Sequence, residues 1–303
     1  MCYPSLILKH HNTDIDRMKQ LSQWWQFCLP QLLLSRFVGW LANCRCRFFK
    51  NWQIRCFIRY FSVDMREAEY PDYRDYPTFN DFFTRYLRPE FRPIANHPSE
   101  LACPVDGVVS ALGELANNQI LQAKGKYYSL QSLLAGKSVE SFINGSFFTA
   151  YLAPKDYHRI HMPYEARLIE MHYIPGSLFS VNAKSVAAID NLFARNERVI
   201  SVFESDFGPF ALIAVGAMIV GSIATAWHGV VNPGHSRQIF SWYYQDKDIR
   251  LARGDEWGYF KLGSTVILLF PQYTVNWQRN LMPLSYIKMG HAIGNLNAKG
   301  VEA

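Results

Sequence analysis

Residues 207–227 read FGPFALIAVGAMIVGSIATAW, 21 residues without a charge. A run of this length either crosses a bilayer as one helix or folds away as buried strands. Gly208, Pro209, Gly216 and Gly221 interrupt it, and its β-branched residues come in short bursts. That pattern predicts two buried strands joined near Gly216 rather than a spanning helix.

The same grammar fills the chain beyond residue 100. Short apolar runs at Gly107–Leu112, Ser146–Leu152, Arg198–Phe203, Phe210–Val215 and Val266–Phe270 are separated by Gly, Pro, Asn and Asp. This predicts a mostly β domain of about 200 residues. The front of the chain differs. Leu33, Phe37, Trp40, Leu41, Cys44 and Phe48 recur at helical spacing as one apolar face, and Pro30 suits a first turn. Ile54, Phe57, Ile58 and Phe61 repeat the pattern. Between them and the β domain lies a Pro-, Asp- and Tyr-rich transition at residues 64–98, with a short helix signalled at Thr78–Arg85 and Thr78 as its N-cap. The expected class is α+β: a helical region and transition segment over 1–98, then a β-rich domain over 99–303.

Charge follows the same division. Residues 1–95 hold 14 Lys/Arg and 9 Asp/Glu, whereas 96–303 hold 17 and 16. Met18–Val63 has seven basic residues and no acid. Arg36, Arg47 and Lys50 are expected beside the apolar face, Arg55 and Arg59 off the second stripe. Trp24, Trp25, Trp40 and Trp52 add rings suited to a membrane interface. Such a segment fits either an in-plane helix on anionic lipid or a helical pair packed on the protein with a solvated basic face. Five of the six cysteines lie in the first 56 residues, but Cys44 and Cys46 have the wrong spacing for a CxxC site, so reduced thiols are expected. The first twenty residues show no signal-peptide pattern.

Three stretches could carry chemistry. Cys103–Ser110, CPVDGVVS, contains Asp106-Gly107, a pair also common in plain turns. Residues 151–163, YLAPKDYHRIHMP, hold His158 and His161 between two prolines. A metal site there would need further ligands, and no HExxH or paired CxxC supplies them. Gly263-Ser264 stands at the mouth of the apolar run Val266–Phe270. There it reads either as a bulge or as a bond that is itself a substrate. Asp, His and Ser are thus available for triad chemistry, which geometry rather than chain order defines. Without a GxSxG elbow an α/β-hydrolase is not expected.

The joint order of several motifs is far more specific. FNDFFTRYLR at 79–88, PVDGVVS at 104–110, YSLQSLLAG at 128–136, DYHRIHMP at 156–163, PGSLFSVN at 175–182, NLFARNERV at 191–199, VGAMIVGSI at 215–223 and FKLGSTV at 260–266 resemble the bacterial, membrane-associated phosphatidylserine decarboxylase proenzymes. The resemblance spans about 31–294; Val105 departs from the family's usual alanine. It implies that Ser264 attacks the Gly263 carbonyl, with His161 as base and Asp106 orienting it. Acyl shift, β-elimination and loss of ammonia would then leave a pyruvoyl cofactor at position 264, a β chain 1–263 and an α chain 264–303. The pyruvoyl group would form a Schiff base with phosphatidylserine and give phosphatidylethanolamine after decarboxylation, with His158 as general acid. It further implies a peripheral enzyme on the cytoplasmic side of the cell membrane, attracted to anionic lipid, and a homodimer. No metal and no nucleic-acid partner is expected.

Three alternatives predict different things. A hydrolase keeping Ser264 would stay uncut. A decayed, non-catalytic lipid binder would have lost the Asp, His or Gly-Ser residues. A pyruvoyl decarboxylase for a soluble amino acid would not need the basic amphipathic front.

Overall fold

The computed structural model describes residues 31–123, 125–217, 222–232, 236–261 and 264–297. Expectations for Cys2, Trp24, Trp25, Cys28, Pro30, Gly221 and Gly263, and for the side chains of Leu33 and Arg36, lie outside the described residues.

A nine-stranded antiparallel sheet dominates the molecule. Its spatial order is Phe240–Tyr243, Ala166–Ile174, Arg198–Ser205, Gly208–Val215, Ser264–Phe270, Ser146–Leu152, Gly107–Glu114 and Tyr286–Ile287, with Arg250–Leu251 also pairing with Ala166–Ile174. Ser264–Phe270 is an interior strand, and all its residues are buried. Side chains alternate across a strand. Val266, Leu268 and Phe270 therefore enter one core, while Ile267 and Leu269 enter the other. This two-sided burial explains why the run is apolar throughout rather than alternating.

The uncharged stretch folds as strands, as expected. Gly208–Val215 joins the large sheet, and Ile223–Thr225 joins a four-stranded sheet with Gly229–Val230, Glu256–Phe260 and Arg159–His161. The two halves thus serve different sheets and do not pair with each other. Among the described residues no helix is long and apolar enough to cross a membrane. Ile160, Ile223, Trp257 and Phe260 of the smaller sheet share the core that holds Val266 and Leu268. By strand parity, Ser264 faces this layer too.

Among the described residues the front of the chain forms two helices, Gln31–Ala42 and Arg47–Phe61. The expected single apolar face from Leu33 to Phe48 is not continuous, because the chain leaves the helix after Ala42. The Asn43 amide donates back to the Gly39 carbonyl at 2.8 Å, a side-chain bond that competes with helix propagation. Lys50, expected to project beside that face, turns inward. It is buried, and its Nζ donates to the Arg74 carbonyl at 2.8 Å. Thr78 caps Phe79–Phe83 by accepting from the Asp81 amide, as its position predicts. Ile54, Phe79, Phe82 and Phe83 build a separate small core on which Phe57 packs edge-on. The transition segment is nevertheless tied to the β domain: the Ala95 amide bonds to Gly290, and Arg159 Nε donates to the Thr84 carbonyl at 2.8 Å.

Candidate active site

Ser264 begins the interior strand, its backbone paired in register with Leu152. It is completely buried, and among the described residues its Oγ has no hydrogen-bond partner. A buried hydroxyl left unpaired costs about 1–3 kcal/mol.

Two histidines flank Ile160, His158 on its core-facing side by strand parity and His161 on the opposite face, and both are prepared in the same way. His158 Nδ1 lies 2.9 Å from the Asp156 carbonyl, and His161 Nδ1 lies 2.8 Å from the Gly254 carbonyl. A carbonyl only accepts, so each ring carries its proton on Nδ1 and presents Nε2 as a lone pair. Among the described residues His158 Nε2 is buried without a hydrogen-bond partner, and Phe83 packs against its ring with centroids 4.1 Å apart. Burial lowers the His158 pKa to about 3, keeping the ring neutral. His161 is also lowered by burial, and its Nε2 accepts from the Tyr157 hydroxyl at 3.0 Å. The carbonyl serving His161 comes from Gly254, whose φ of +87° lies in the left-handed region that favours glycine.

Asp106 is buried, but its partner is not histidine. Oδ1 accepts from Arg92 Nε at 2.8 Å and from the Met289 amide at 2.8 Å, while Oδ2 pairs with Arg92 Nη2. Arg92 also binds Glu67 at 2.7 Å, and Lys288 reaches Glu67 at 3.3 Å. Burial opposes the Arg92 charge, yet the two carboxylates outweigh it and raise its pKa. Gly107 permits the placement of Asp106: a Cβ there would stand 2.3 Å from the Tyr151 carbonyl oxygen.

The structure thus gathers Asp106, His158 and His161 around the small sheet and puts Ser264 on the facing strand. Among the described residues, His161 bonds to neither Asp106 nor Ser264. A cleft of about 230 Å³ opens at Asp106, Asp156 and Tyr157 and is also lined by Arg85, Lys155 and Tyr286. Sequence reading assigned nothing to Arg92, Tyr157 or Arg85. Arg85 lies inside a quoted motif, whereas the pairing of Arg92 with Asp106 is a tertiary fact that no local spacing announces. No group of three or more His, Cys, Asp or Glu side chains is placed to hold a metal among the described residues.

Comparison with known proteins identifies the family. The phosphatidylserine decarboxylase family model matches residues 79–295, and a second model, PSD, matches 21–62. The phosphatidylserine decarboxylase proenzyme of Coxiella burnetii (strain RSA 331 / Henzerling II) is 50% identical over 271 residues, covering 89% of this chain and 96% of the relative. Those of Nitrosospira multiformis and Idiomarina loihiensis are 49% and 47% identical, each over 278 residues and 90% of this chain, covering 96% and 95% of the relatives. The chain belongs to the phosphatidylserine decarboxylase proenzyme family.

Proposed function

We propose that this chain cuts itself between Gly263 and Ser264 and, as chains 1–263 and 264–303, decarboxylates phosphatidylserine to phosphatidylethanolamine. The observation that carries this reading is the Ser264 hydroxyl, fully buried and, among the described residues, unpartnered at the head of an interior strand. A hydroxyl that is consumed in maturation needs no permanent partner. The site also fits the pyruvoyl group that replaces it, because a small ketone at a strand N-terminus brings no hydroxyl donor into the core.

Self-cleavage needs a base for the Ser264 proton. His161 Nε2 has the right tautomer, and it reaches this role by releasing the Tyr157 hydroxyl. Asp106, held by Arg92, supplies fixed negative charge on the same layer and favours the imidazolium that results. Oγ then bonds to the Gly263 carbonyl carbon as the Gly263–Ser264 amide bond breaks, and the imidazolium passes its proton to the freed Ser264 nitrogen. The resulting ester is opened by elimination across Cα–Cβ of residue 264, and water releases ammonia.

In turnover the pyruvoyl carbonyl supplies an electron sink for the pair left when carbon dioxide departs. The chain's own residues handle the protons. His158 rests with a lone pair at Nε2, so before acting as general acid it must first accept a proton. The substrate ammonium has one to shed, and Nε2 returns it to the α carbon after carbon dioxide leaves. The enclosing Phe83 ring keeps bulk water from Nε2.

The substrate's acyl chains place the enzyme at a membrane surface. The two front helices support a peripheral position on the cytoplasmic face of the cell membrane, because they leave Phe37, Trp40, Phe48, Trp52 and Tyr60 exposed beside Arg55 and Arg59. We accordingly divide the chain into a membrane-associating region over 1–98 and a catalytic domain over 99–303. A homodimer belongs to the same reading, and sedimentation of the processed protein tests it. Intact mass under denaturing conditions tests the central claim. Two chains split after residue 263, the smaller lighter by one ammonia than a serine-started fragment, support it; a single full-length chain with esterase activity overturns it.

A further inference from the structure

Arg85 sits on the cleft wall with almost no solvent exposure, at 4%. Its Nη2 donates to the Lys155 carbonyl at 3.0 Å, but among the described residues Nε and Nη1 have no hydrogen-bond partner. The other cleft cations are accounted for differently. Arg92 is held by Asp106 and Glu67, Lys288 reaches Glu67, and Lys155 is exposed. Arg85 makes no ion pair with a carboxylate among the described residues. A guanidinium buried without a counter-ion is costly, and its planar fork is shaped for an anion with two oxygens. Burial accordingly depresses its pKa.

Its position connects it to the reaction. Arg85 binds the carbonyl of Lys155, and the next carbonyl, that of Asp156, fixes the His158 tautomer. Phe83, two residues before Arg85, packs on the His158 ring. Any anion held by Arg85 is therefore held beside the proton-transferring histidine.

We propose that Arg85 is the binding residue for the phosphodiester of the lipid headgroup, an inference that rests on the decarboxylase reading above. The substrate offers two anions, and the chemistry separates them. The carboxylate must lose its charge as neutral carbon dioxide departs, so a guanidinium gripping it would stabilise the ground state and raise the barrier. The phosphodiester keeps its charge from binding to release. A fixed cation there anchors the headgroup without opposing the reaction, and it leaves the serine amine and carboxylate free to reach position 264.

The test compares processed wild type with R85Q and R85K, using short-chain phosphatidylserine as substrate. Glycerophosphoethanolamine, which has the phosphodiester but no carboxylate, serves as the inhibitor. Hydrogen bonds to charged groups contribute about 1.5–3 kcal/mol, so R85Q should raise KM and the inhibitor's Ki together by about 10- to 100-fold, with R85K recovering part of the loss. An unchanged Ki overturns the proposal; if KM alone rises, Arg85 serves the carboxylate instead. Should R85Q fail to mature, a crystal structure of wild type with glycerophosphoethanolamine decides. A phosphate oxygen bonded to an Arg85 nitrogen supports the proposal, and a phosphate held elsewhere overturns it. Wild-type enzyme that matures but releases no carbon dioxide from phosphatidylserine sinks the functional reading itself.

Discussion

The helix Arg47–Phe61 and the strand Ser264–Phe270 are both rich in large apolar residues, yet they use them in opposite ways. The strand buries every side chain, dividing them between two cores. The helix buries Ile54 and leaves Phe48, Trp52 and Tyr60 to solvent. Apolar content alone therefore does not say where the hydrophobic effect is being used. In the strand it stabilises the fold, and in the helix that surface remains available for a second phase. The polar residue at each place sharpens the contrast. Ser264 is buried with an unsatisfied hydroxyl, whereas Lys50 is buried with its ammonium satisfied by a carbonyl. The first is the group we propose to be reactive, and the second ties a helix to its neighbour.

The largest expected effect tests that distinction. Ser264→Ala should abolish chain cleavage and decarboxylase activity while leaving a folded chain at least as stable as the uncut parent, since it deletes an unpaired polar atom. Gel analysis and thermal unfolding check both halves. Cleavage persisting in this variant would break the comparison at its centre.

Next come two changes in the interior. Leu268→Ala removes a side chain packed wholly inside one core, and about 2–5 kcal/mol of stability should go with it. Arg92→Ala strands the Asp106 carboxylate in the interior, at a cost of about 3–5 kcal/mol. Denaturant titration of each change in the Ser264→Ala background reads stability without the complication of cleavage. A cost near zero for Arg92→Ala would mean that water reaches Asp106 freely.

What was legible in the sequence follows the same line. The interior strands announced themselves, because burial on both faces leaves an uninterrupted β-branched run, and the Thr78 cap was readable because it is a bond three residues long. The break after Ala42 was not: apolar spacing runs on through Cys44 to Phe48, while the helix closes in a turn where the Asn43 side chain and backbone both bond to Gly39. Ser264, His158, His161 and Asp106 could be picked out by motif, but the network around them could not. Arg92 lies 14 residues before Asp106, and Gly254 lies 93 residues after His161; neither separation carries a periodic signal. Tyr157 is nearer, yet nothing in DYHRIHMP tells that its hydroxyl occupies the nitrogen that His161 needs.

A smaller effect comes from pH. The folded chain holds His158 neutral down to about pH 3, whereas in the unfolded chain the ring gains its proton near its ordinary value of 6.5. Between these values the unfolded state binds one more proton. Stability is therefore full above the unfolded pKa and is lost as pH falls toward the folded one, by about 1.4 kcal/mol per pH unit from this single group. Urea titrations of Ser264→Ala at pH 7, 6 and 5, with and without His158→Asn, should show this part of the slope vanish with the histidine. An identical slope in both proteins would place the proton uptake elsewhere.

The smallest effect on stability, and the one that returns to the helix, is expected for Phe48→Ser with Trp52→Ser. Both side chains are exposed, at 87% and 59%, so their loss should change stability by no more than about 0.5 kcal/mol, far below the cost of Leu268→Ala. Vesicle binding should respond in the opposite order. Inserting an apolar side chain of this size into a bilayer contributes about 1.5–3 kcal/mol, so the double variant should bind vesicles containing phosphatidylserine at least tenfold more weakly, while Leu268→Ala should not weaken binding as long as it stays folded. Added salt should weaken both proteins further through Arg55 and Arg59, since charge attraction to the lipid is screened while apolar insertion is not. If the two substitutions destabilise the fold and leave vesicle affinity untouched, the aromatic face is a packing surface, and the helix and the strand differ only in how completely they are covered.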